Sequence, residues 1–286
     1  MSVVDFGETL RGGFNTWKNN IILCIPFILG GILSAITAVV IIAIAFLSLF
    51  WPLIKMFFSN PSSITSSEFL SQLHSIISSN LVSIIAVFII TGIIIGLISS
   101  FFYSGAIGMA KEAILTGKTN LSHMIDYGKR KYLSYFCASI IVGLIFIIGV
   151  LFLIPGILSI SSEIGSSGFE FSSQNFSTFI PLVIGFLFMV PYMIIMSIVV
   201  SLVTYSVVID DLSTVEGVKK GFRVFWNNKI NVFLIWLIVV IVGIIFGLIG
   251  LIPIIGGILS LILSFIIVTP LTTIWWSKLY ITITKT

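Results

Sequence analysis

Only a few residues of this sequence could carry acid–base or metal chemistry. The chain has two histidines, His74 and His123, and two cysteines, Cys24 and Cys137, among 286 residues of which 8% are charged. A metal site needs several such ligands close together. The histidines are separated by an apolar stretch long enough to cross a membrane, so we expect them on opposite faces. We therefore expect no metal ion, no cofactor and no catalytic residue.

The apolar residues around these groups indicate the fold class. Hydrophobic residues make up 58% of the chain, and the mean hydropathy is +1.24, far above the range of a water-soluble domain. Within lipid the backbone must satisfy its own hydrogen bonds, so long apolar runs form helices. We predict an all-α polytopic transmembrane protein, with residues 1–286 as one transmembrane domain. The six predicted transmembrane helices are 21–50, 81–108, 132–155, 176–209, 230–252 and 254–277.

The middle of each predicted span lacks Asp, Glu, Lys, Arg and His. Ionisable residues inside a membrane are costly and usually mark proton relays, ion pathways or embedded catalysis. Their absence argues against ion-coupled transport and against hydrolysis within the membrane. We expect a protein that is not an enzyme.

The basic residues are distributed very unevenly along the predicted topology. Cytoplasmic loops of membrane proteins carry an excess of Lys and Arg, so we predict a multi-pass cell-membrane protein with both termini in the cytoplasm. The inner face carries 13 basic and seven acidic residues, and the outer face carries Lys55 and three acids. Such an inner face attracts anionic lipid headgroups, and no nucleic-acid-binding motif accompanies it. The inner basic residues are Arg11, Lys18, Lys111, Lys118, Lys129, Arg130, Lys131, Lys219, Lys220, Arg223, Lys229, Lys278 and Lys285.

Two segments that precede spans resemble each other. Residues 8–20 align without gaps on residues 216–228, with identical Glu, Gly, Phe, Asn and Asn at five positions. Each copy opens with a capping-box pattern, Asp5 with Glu8 and Ser213 with Glu216, which is typical of a helix start. A weaker third candidate, residues 111–131, does not align convincingly.

Large apolar residues recur at helical spacing in both copies, opposite a charged face. We predict interfacial amphipathic elbow helices that lie in the membrane surface before their spans. An elbow followed by a helical hairpin would make three repeated units, 1–108, 109–208 and 209–286. The predicted membrane-interface residues are Phe6, Leu10, Phe14, Trp17, Val218, Phe222, Phe225 and Trp226.

Small residues recur every four positions in the second span and again in the fifth. Such lanes let another helix approach closely. The alternative is a narrow path or lipid-tail groove lined by serine hydroxyls. The predicted helix-packing residues are Gly92, Gly96, Ser100, Ser104, Gly108, Gly243 and Gly247.

Several boundary motifs resemble a known family. They are SGAIGMA at 104–110, KTN at 118–120, YGKR at 127–130, VIDD at 208–211 and VEGV at 215–218. With the elbow pattern, they look like the membrane domain of glycerophosphoryl diester phosphodiesterases and related uncharacterised prokaryotic polytopic proteins. In those phosphodiesterases the chemistry belongs to an appended soluble barrel with metal-binding residues. This sequence carries no such barrel, so the resemblance implies the membrane module alone.

Two functions remain open from the sequence. The first is a non-enzymatic structural, interaction or lipid-contacting module embedded in the membrane. The second is a permease-type subunit of a transporter whose elbows dock a cytosolic energy-supplying protein. The expected partners are membrane lipids, with a second copy of the chain or a cytosolic protein as alternatives, and no nucleic acid.

Overall fold

The computed structural model describes residues 6–59, 67–167, 176–253 and 255–285. Six helical stretches are long and apolar enough to cross a membrane, which confirms the predicted all-α fold: Ile21–Ser59, Leu81–Thr116, Leu121–Ser162, Ser177–Ile209, Lys229–Ile249 and Gly256–Lys285. The α-helices are α1 Phe6–Asn19, α2 Ile25–Ser59, α3 Ser67–Ser79, α4 Leu81–Thr116, α5 Leu121–Val150, α6 Ile154–Ser167, α7 Phe176–Val199, α8 Val203–Ile209, α9 Thr214–Asn227, α10 Lys229–Ile249, α11 Gly256–Leu263 and α12 Thr269–Lys285.

The helices extend beyond several predicted span ends, and two of these differences have a clear physical reason. α2 continues through Pro52 to Ser59, because a proline inside a membrane helix is tolerated where neighbouring groups satisfy the freed backbone. At 1.5 Å per residue α2 is about 50 Å long, well beyond a hydrocarbon core of about 30 Å. α5 begins at Leu121 rather than at residue 132, because Asn120 caps it by accepting a hydrogen bond from His123 N at 3.1 Å.

The last span contains an irregular turn with a clear chemical cause. Residues Ser264–Val268 form a π-helical turn between α11 and α12. Pro270 has no N–H, so it cannot donate to the carbonyl of Ile266 four residues earlier. That carbonyl accepts instead from Trp17 Nε1 at 3.1 Å and from Cys24 Sγ at 2.9 Å. The broken backbone bond is thus replaced by two side-chain donors from the other end of the chain.

Hydrogen bonds bring α1, the α4–α5 turn, the α8–α9 turn and α12 together, and we call this the basic end. Asn20 joins two of these elements, because its Nδ2 donates to Gly117 O at 3.1 Å and its Oδ1 accepts from Thr119 N at 3.1 Å. The apolar core lies here as well, with Leu202, Val232 and Leu279 fully buried. The distal halves of the spans leave most of their large apolar side chains exposed, as surfaces in contact with lipid do.

Three helical segments, which we call the elbow segments, pack on helices that return to the basic end. They are α1, the first turns of α5 up to residue 132, and α9. α1 packs on α12, the start of α5 packs on the end of α4, and α9 packs on α8. Trp275 Nε1 of α12 donates to Leu10 O at 3.2 Å, which joins the first described helix to the last.

Each elbow segment has a glycine at a close approach to a neighbouring helix. Gly13, Gly128 and Gly221 are each the eighth residue of their helices. A Cβ at Gly13 would overlap the indole of Trp275. At the other two positions it would lie 2.9 Å from the ring of Phe101 and 2.7 Å from the Cα of Val203, respectively. Only glycine therefore allows these three contacts as they stand.

Candidate functional site

The turn between α8 and α9, residues 209–212, is the most densely bonded polar feature of the basic end, and we call it the acid turn. It carries two adjacent carboxylates, Asp210 and Asp211. Asp211 has φ +57°, a left-handed conformation that Asp and Asn adopt more readily than most residues. This conformation turns the chain sharply between two helices.

Cations from α4 and α5 hold the acid turn. Lys131 Nζ lies 2.6 Å from Asp211 Oδ1 and donates to the carbonyl of Leu212 at 3.1 Å, although the lysine side chain is only 9% exposed. Arg130 Nε lies 3.5 Å from the same Oδ1. Lys111 Nζ donates to the carbonyl of Ile209 at 2.8 Å. A buried ammonium needs such partners, because its desolvation is costly.

The second carboxylate connects two further helices. Lys220 Nζ of α9 lies 2.7 Å from Asp210 Oδ2, and the fully buried Tyr280 of α12 donates its hydroxyl proton to the same oxygen. The acid turn therefore links α4, α5, α9 and α12 through charged hydrogen bonds. We call Lys111, Arg130, Lys131, Lys220 and Tyr280 the lock residues.

The electrostatics of the acid turn follow from these contacts. The hydrogen bond from Lys131 lowers the pKa of Asp211 below its usual value of 3.8, against a smaller opposing effect of burial. Glu216, at the start of α9, also has a lowered pKa, because its carboxylate accepts from the hydroxyl of Ser213 at 2.8 Å. Asp211 and Glu216 are thus both ionised near neutral pH. The capping interaction predicted at Ser213 and Glu216 is present, while Asp5 lies outside the described residues.

The arrangement of the lock residues favours a structural task. Each lock cation is bound to a carboxylate or to a main-chain carbonyl, and the Tyr127 hydroxyl is bound to Glu112 Oε1 at 2.8 Å. Arg130 and Lys111 lie over the Tyr127 ring at 4.8 and 5.5 Å, where the ring face attracts cations. The motif at 208–211 stands out in the sequence, but the lock around it does not. The sequence feature that points to this turn is the pair of adjacent acids, Asp210 and Asp211, just before a basic helix.

A second group of basic residues lies outside the lock. These side chains are exposed, and within the described ranges none of them forms an ion pair. Because they surround the basic end, we call them the cationic rim: Arg11, Lys18, Lys118, Lys129, Lys219 and Arg223.

The predicted membrane-interface residues fall into different environments. Phe14 and Trp226 are exposed by 46% and 58%, whereas Phe225 is buried. α1 and α9 therefore pack on the protein through some of the predicted membrane-interface residues, and the other predicted residues face outward. The remaining five are partly buried: Phe6 and Leu10 against the main core, Val218 and Phe222 against the core beside α8, and Trp17 beside Leu23.

Trp17 has a specific partner that the stripe did not predict. Replacing Trp17 with phenylalanine removes one of the two donors to Ile266 O while keeping an aromatic ring. We expect a loss of about 1 kcal/mol, the usual net value of a hydrogen bond, and a drop of a few degrees in the melting temperature of the purified protein.

The control for this variant is Trp226→Phe. Trp226 lies on α9, and Lys229 Nζ lies 4.3 Å from the centroid of its ring. Phenylalanine largely retains such a cation–π contact. Equal melting temperatures for the two variants would contradict a structural role for the Trp17 hydrogen bond.

The predicted helix-packing residues of α4 lie against α5 toward the basic end. A Cβ at Gly96 would lie 2.8 Å from the ring of Phe136, and one at Gly108 would overlap the ring of Tyr127. Two serines of the same lane are buried and bond to carbonyls of their own helix: Ser100 and Ser104.

The other predicted packing positions face open space. Apart from the backbone of their own helices, no atom of the described residues lies within 4 Å of a Cβ at Gly92, Gly243 or Gly247. The lane in α4 thus meets α5 over its second half only, and the pair in α10 has no helix against it in the single chain.

Six apolar spans and a charge cluster that ties their ends together define a multi-pass, all-helical membrane protein. The chain belongs to the family described as domain of unknown function DUF7847, whose profile matches residues 31–277. An uncharacterised protein of Archaeoglobus fulgidus is 24% identical over 291 residues, which cover 96% of this chain and 94% of that protein. No solved structure matches the chain. These findings agree with the resemblance to uncharacterised prokaryotic proteins and show no link to the phosphodiesterase membrane domain.

Proposed function

We propose that this protein is a non-enzymatic, lipid-contacting membrane module whose basic end binds anionic headgroups at the cytoplasmic surface. The observation that carries the proposal is the division of the basic residues into two groups. The lock residues form contacts within the protein, whereas the side chains of the cationic rim are exposed and form no ion pair in the described part of the chain. A charge that is not used to hold the fold is free to bind a ligand.

The positions of the rim residues support a lipid as that ligand. Arg11 and Lys18 lie on α1, and Lys219 and Arg223 lie on α9, beside the exposed aromatic side chains Phe14 and Trp226. Cations next to aromatic rings at the ends of apolar spans are typical of groups at the headgroup level. The elbows would then be amphipathic interfacial helices, as their sequence pattern predicts.

The proposal predicts a selective loss of anionic lipid when the rim is neutralised. In the variant Arg11→Gln, Lys18→Gln, Lys219→Gln and Arg223→Gln, each lost charge removes about 1 kcal/mol of attraction before screening by salt. We expect the preference for phosphatidylglycerol over phosphatidylcholine to fall about tenfold or more. The measurement is native mass spectrometry of lipids retained by protein from mixed vesicles.

Two variants separate this effect from general damage. Lys55→Gln removes the basic residue predicted for the outer face and should leave the preference unchanged. The quadruple variant should melt within about 2 °C of the wild type, because exposed surface substitutions rarely change stability by more than about 0.5 kcal/mol. An unchanged preference in the quadruple variant would refute headgroup binding.

A second candidate is a permease-type subunit that docks a cytosolic energy-supplying partner. It is supported by the exposed outer face of α9, where Val215, Glu216 and Arg223 present both apolar and charged groups. Co-purification with a protein that hydrolyses ATP, lost in Val215→Asp but retained in Lys55→Gln, would favour this candidate. Absence of any such partner from gently solubilised membranes would favour the lipid-contacting module.

A further inference from the structure

A cavity of about 220 Å³ lies between α2, α4 and the π-helical turn. Its lining includes the apolar residues Phe27, Phe102 and Phe265. A Cβ at Gly31 would lie 2.7 Å from the Phe265 ring, so this ring can close the wall only against glycine. The cavity is smaller than a pocket for a drug-sized molecule, which usually exceeds about 300 Å³. It suits one section of a chain-like molecule.

Three hydroxyl groups belong to the lining of this otherwise apolar cavity: Ser34 of α2, and Ser99 and Tyr103 of α4. Ser34 Oγ is buried and has no hydrogen-bond partner within the described ranges. The hydroxyls of Thr91 and Ser100 instead donate to the carbonyl four residues earlier, while Ser277 Oγ, which does not line this cavity, is the other buried hydroxyl without a partner in the described part of the chain. Buried polar groups are normally satisfied, so the Ser34 hydroxyl indicates a ligand with a polar group.

Tyr103, one of the residues lining the cavity, is held in place by two other rings. Its ring meets Phe27 at 5.4 Å between centroids and stacks with Tyr135 at 6.5 Å. It is nevertheless 39% exposed. An aromatic ring fixed by two neighbours presents its hydroxyl in a defined direction at little cost in conformational entropy.

The depth of the cavity identifies the medium that it faces. Phe265 is adjacent to Ile266, whose carbonyl accepts from the Trp17 indole. Indole rings prefer the headgroup level of a membrane, which would place the cavity just below that level. There the ester or ether linkages of lipids and their first methylene groups are found, and charged groups are strongly disfavoured.

We infer that this cavity binds the upper part of one lipid chain, with its uncharged ester or ether linkage hydrogen-bonded to the hydroxyls of Ser34, Ser99 and Tyr103. The apolar rings would bury the methylene groups that follow the linkage. This inference rests on the proposed lipid-contacting function, but it concerns a different part of the lipid and different residues from the cationic rim.

Photo-crosslinking of the full chain in vesicles tests the inference. The vesicles contain phosphatidylcholine and phosphatidylglycerol, doped with a phosphatidylcholine whose acyl chain carries a diazirine near the linkage. We expect labelling of residues 27–34 and 99–103 to exceed labelling of the exposed α10 residues 241–248 severalfold. Ser99→Phe, which fills the cavity, should reduce the cavity labelling at least fivefold, whereas Ser99→Ala should not.

Ser34→Leu fills the cavity from the opposite wall and replaces Ser99→Phe if that variant does not fold. Uniform labelling in the wild type, or labelling that survives both filling variants, would overturn the inference. A phosphatidylglycerol probe separates it from the proposed function. If both probes label the cavity equally and no headgroup preference is measured, rim binding is refuted and the cavity inference stands. If a headgroup preference is measured but the cavity is not labelled, the cavity inference is refuted and rim binding stands.

Discussion

Replacing Asp211 with alanine should lower the stability of the protein by about 3 kcal/mol. The change removes the carboxylate that lies 2.6 Å from Lys131 Nζ and leaves a nearly buried ammonium with only the carbonyl of Leu212. Breaking a buried pair costs about 3–5 kcal/mol, which we reduce to about 2 because Asp211 is half exposed. Alanine at φ +57° adds about 1 kcal/mol of backbone strain. A drop of about 8 °C in melting temperature should follow.

The substitutions at this position should follow an order that reflects both causes. Asp211→Asn keeps an acceptor and a tolerance for positive φ, so it should be the mildest. Asp211→Gly relieves the backbone but loses the acceptor, and Asp211→Ala should be the worst. Asp126→Ala, at an exposed acid of α5, should change stability by less than about 0.5 kcal/mol. Glycine proving worse than alanine would contradict the role of the backbone conformation.

The same pair should give the stability a dependence on pH. Because the folded state lowers the pKa of Asp211 below 3.8, the contribution is complete above the pKa of the unfolded chain. It is lost as the pH falls through the lower pKa of the folded protein. Melting curves from pH 3 to pH 6 should show a loss at the acid end that Asp211→Asn reduces.

Replacing Gly221 with leucine should prevent α9 from packing on α8. A Cβ at this position would lie 2.7 Å from Val203 Cα and 3.0 Å from Val203 N, and backbone atoms cannot rotate away as side chains do. Even Gly221→Ala should cost about 2 kcal/mol, because overpacking outweighs the gain in helix propensity. The larger leucine side chain should not fit between the two helices, so α9 should detach from α8.

Limited trypsin digestion reports the position of α9 directly. Lys219, Lys220 and Arg223 lie on this helix, so a released α9 should be cut at least tenfold faster. Gly243→Leu is the matched control, since no described atom lies within 4 Å of a Cβ there. Resistance to trypsin in Gly221→Leu would refute the close contact. A change of oligomeric state in Gly243→Leu would instead support the predicted packing role of Gly243.

The number of spans could be predicted from the sequence because it depends on the local apolar runs. The internal boundaries could not, because they depend on partners far along the chain. The early start of α5 at the Asn120 cap is supported by Tyr127 and Gly128, which pack on α4. The π-helical turn is stable since Trp17 and Cys24 replace a bond that Pro270 removes. Such compensation is invisible until the fold is known.

The lock and the cavity were also beyond the reach of the sequence. Asp210, Lys131 and Tyr280 are distant in sequence and look like ordinary boundary residues. The start of α5 did not align with the two similar elbows because its apolar and charged positions differ. What the start of α5 shares with α1 and α9 is a glycine as the eighth residue, Gly128, and the close contact with the neighbouring helix requires this glycine.

The contact between α1 and α12 has a consequence for the biogenesis of the protein. α1 is translated well before Trp275 and Lys278, the residues on which it packs, because 265 residues separate Leu10 from Trp275. During insertion, α1 should therefore stay undocked until α12 has left the ribosome. Nascent chains arrested before α12 should remain open to protease within α1, and the emergence of α12 should let α1 dock in one late step.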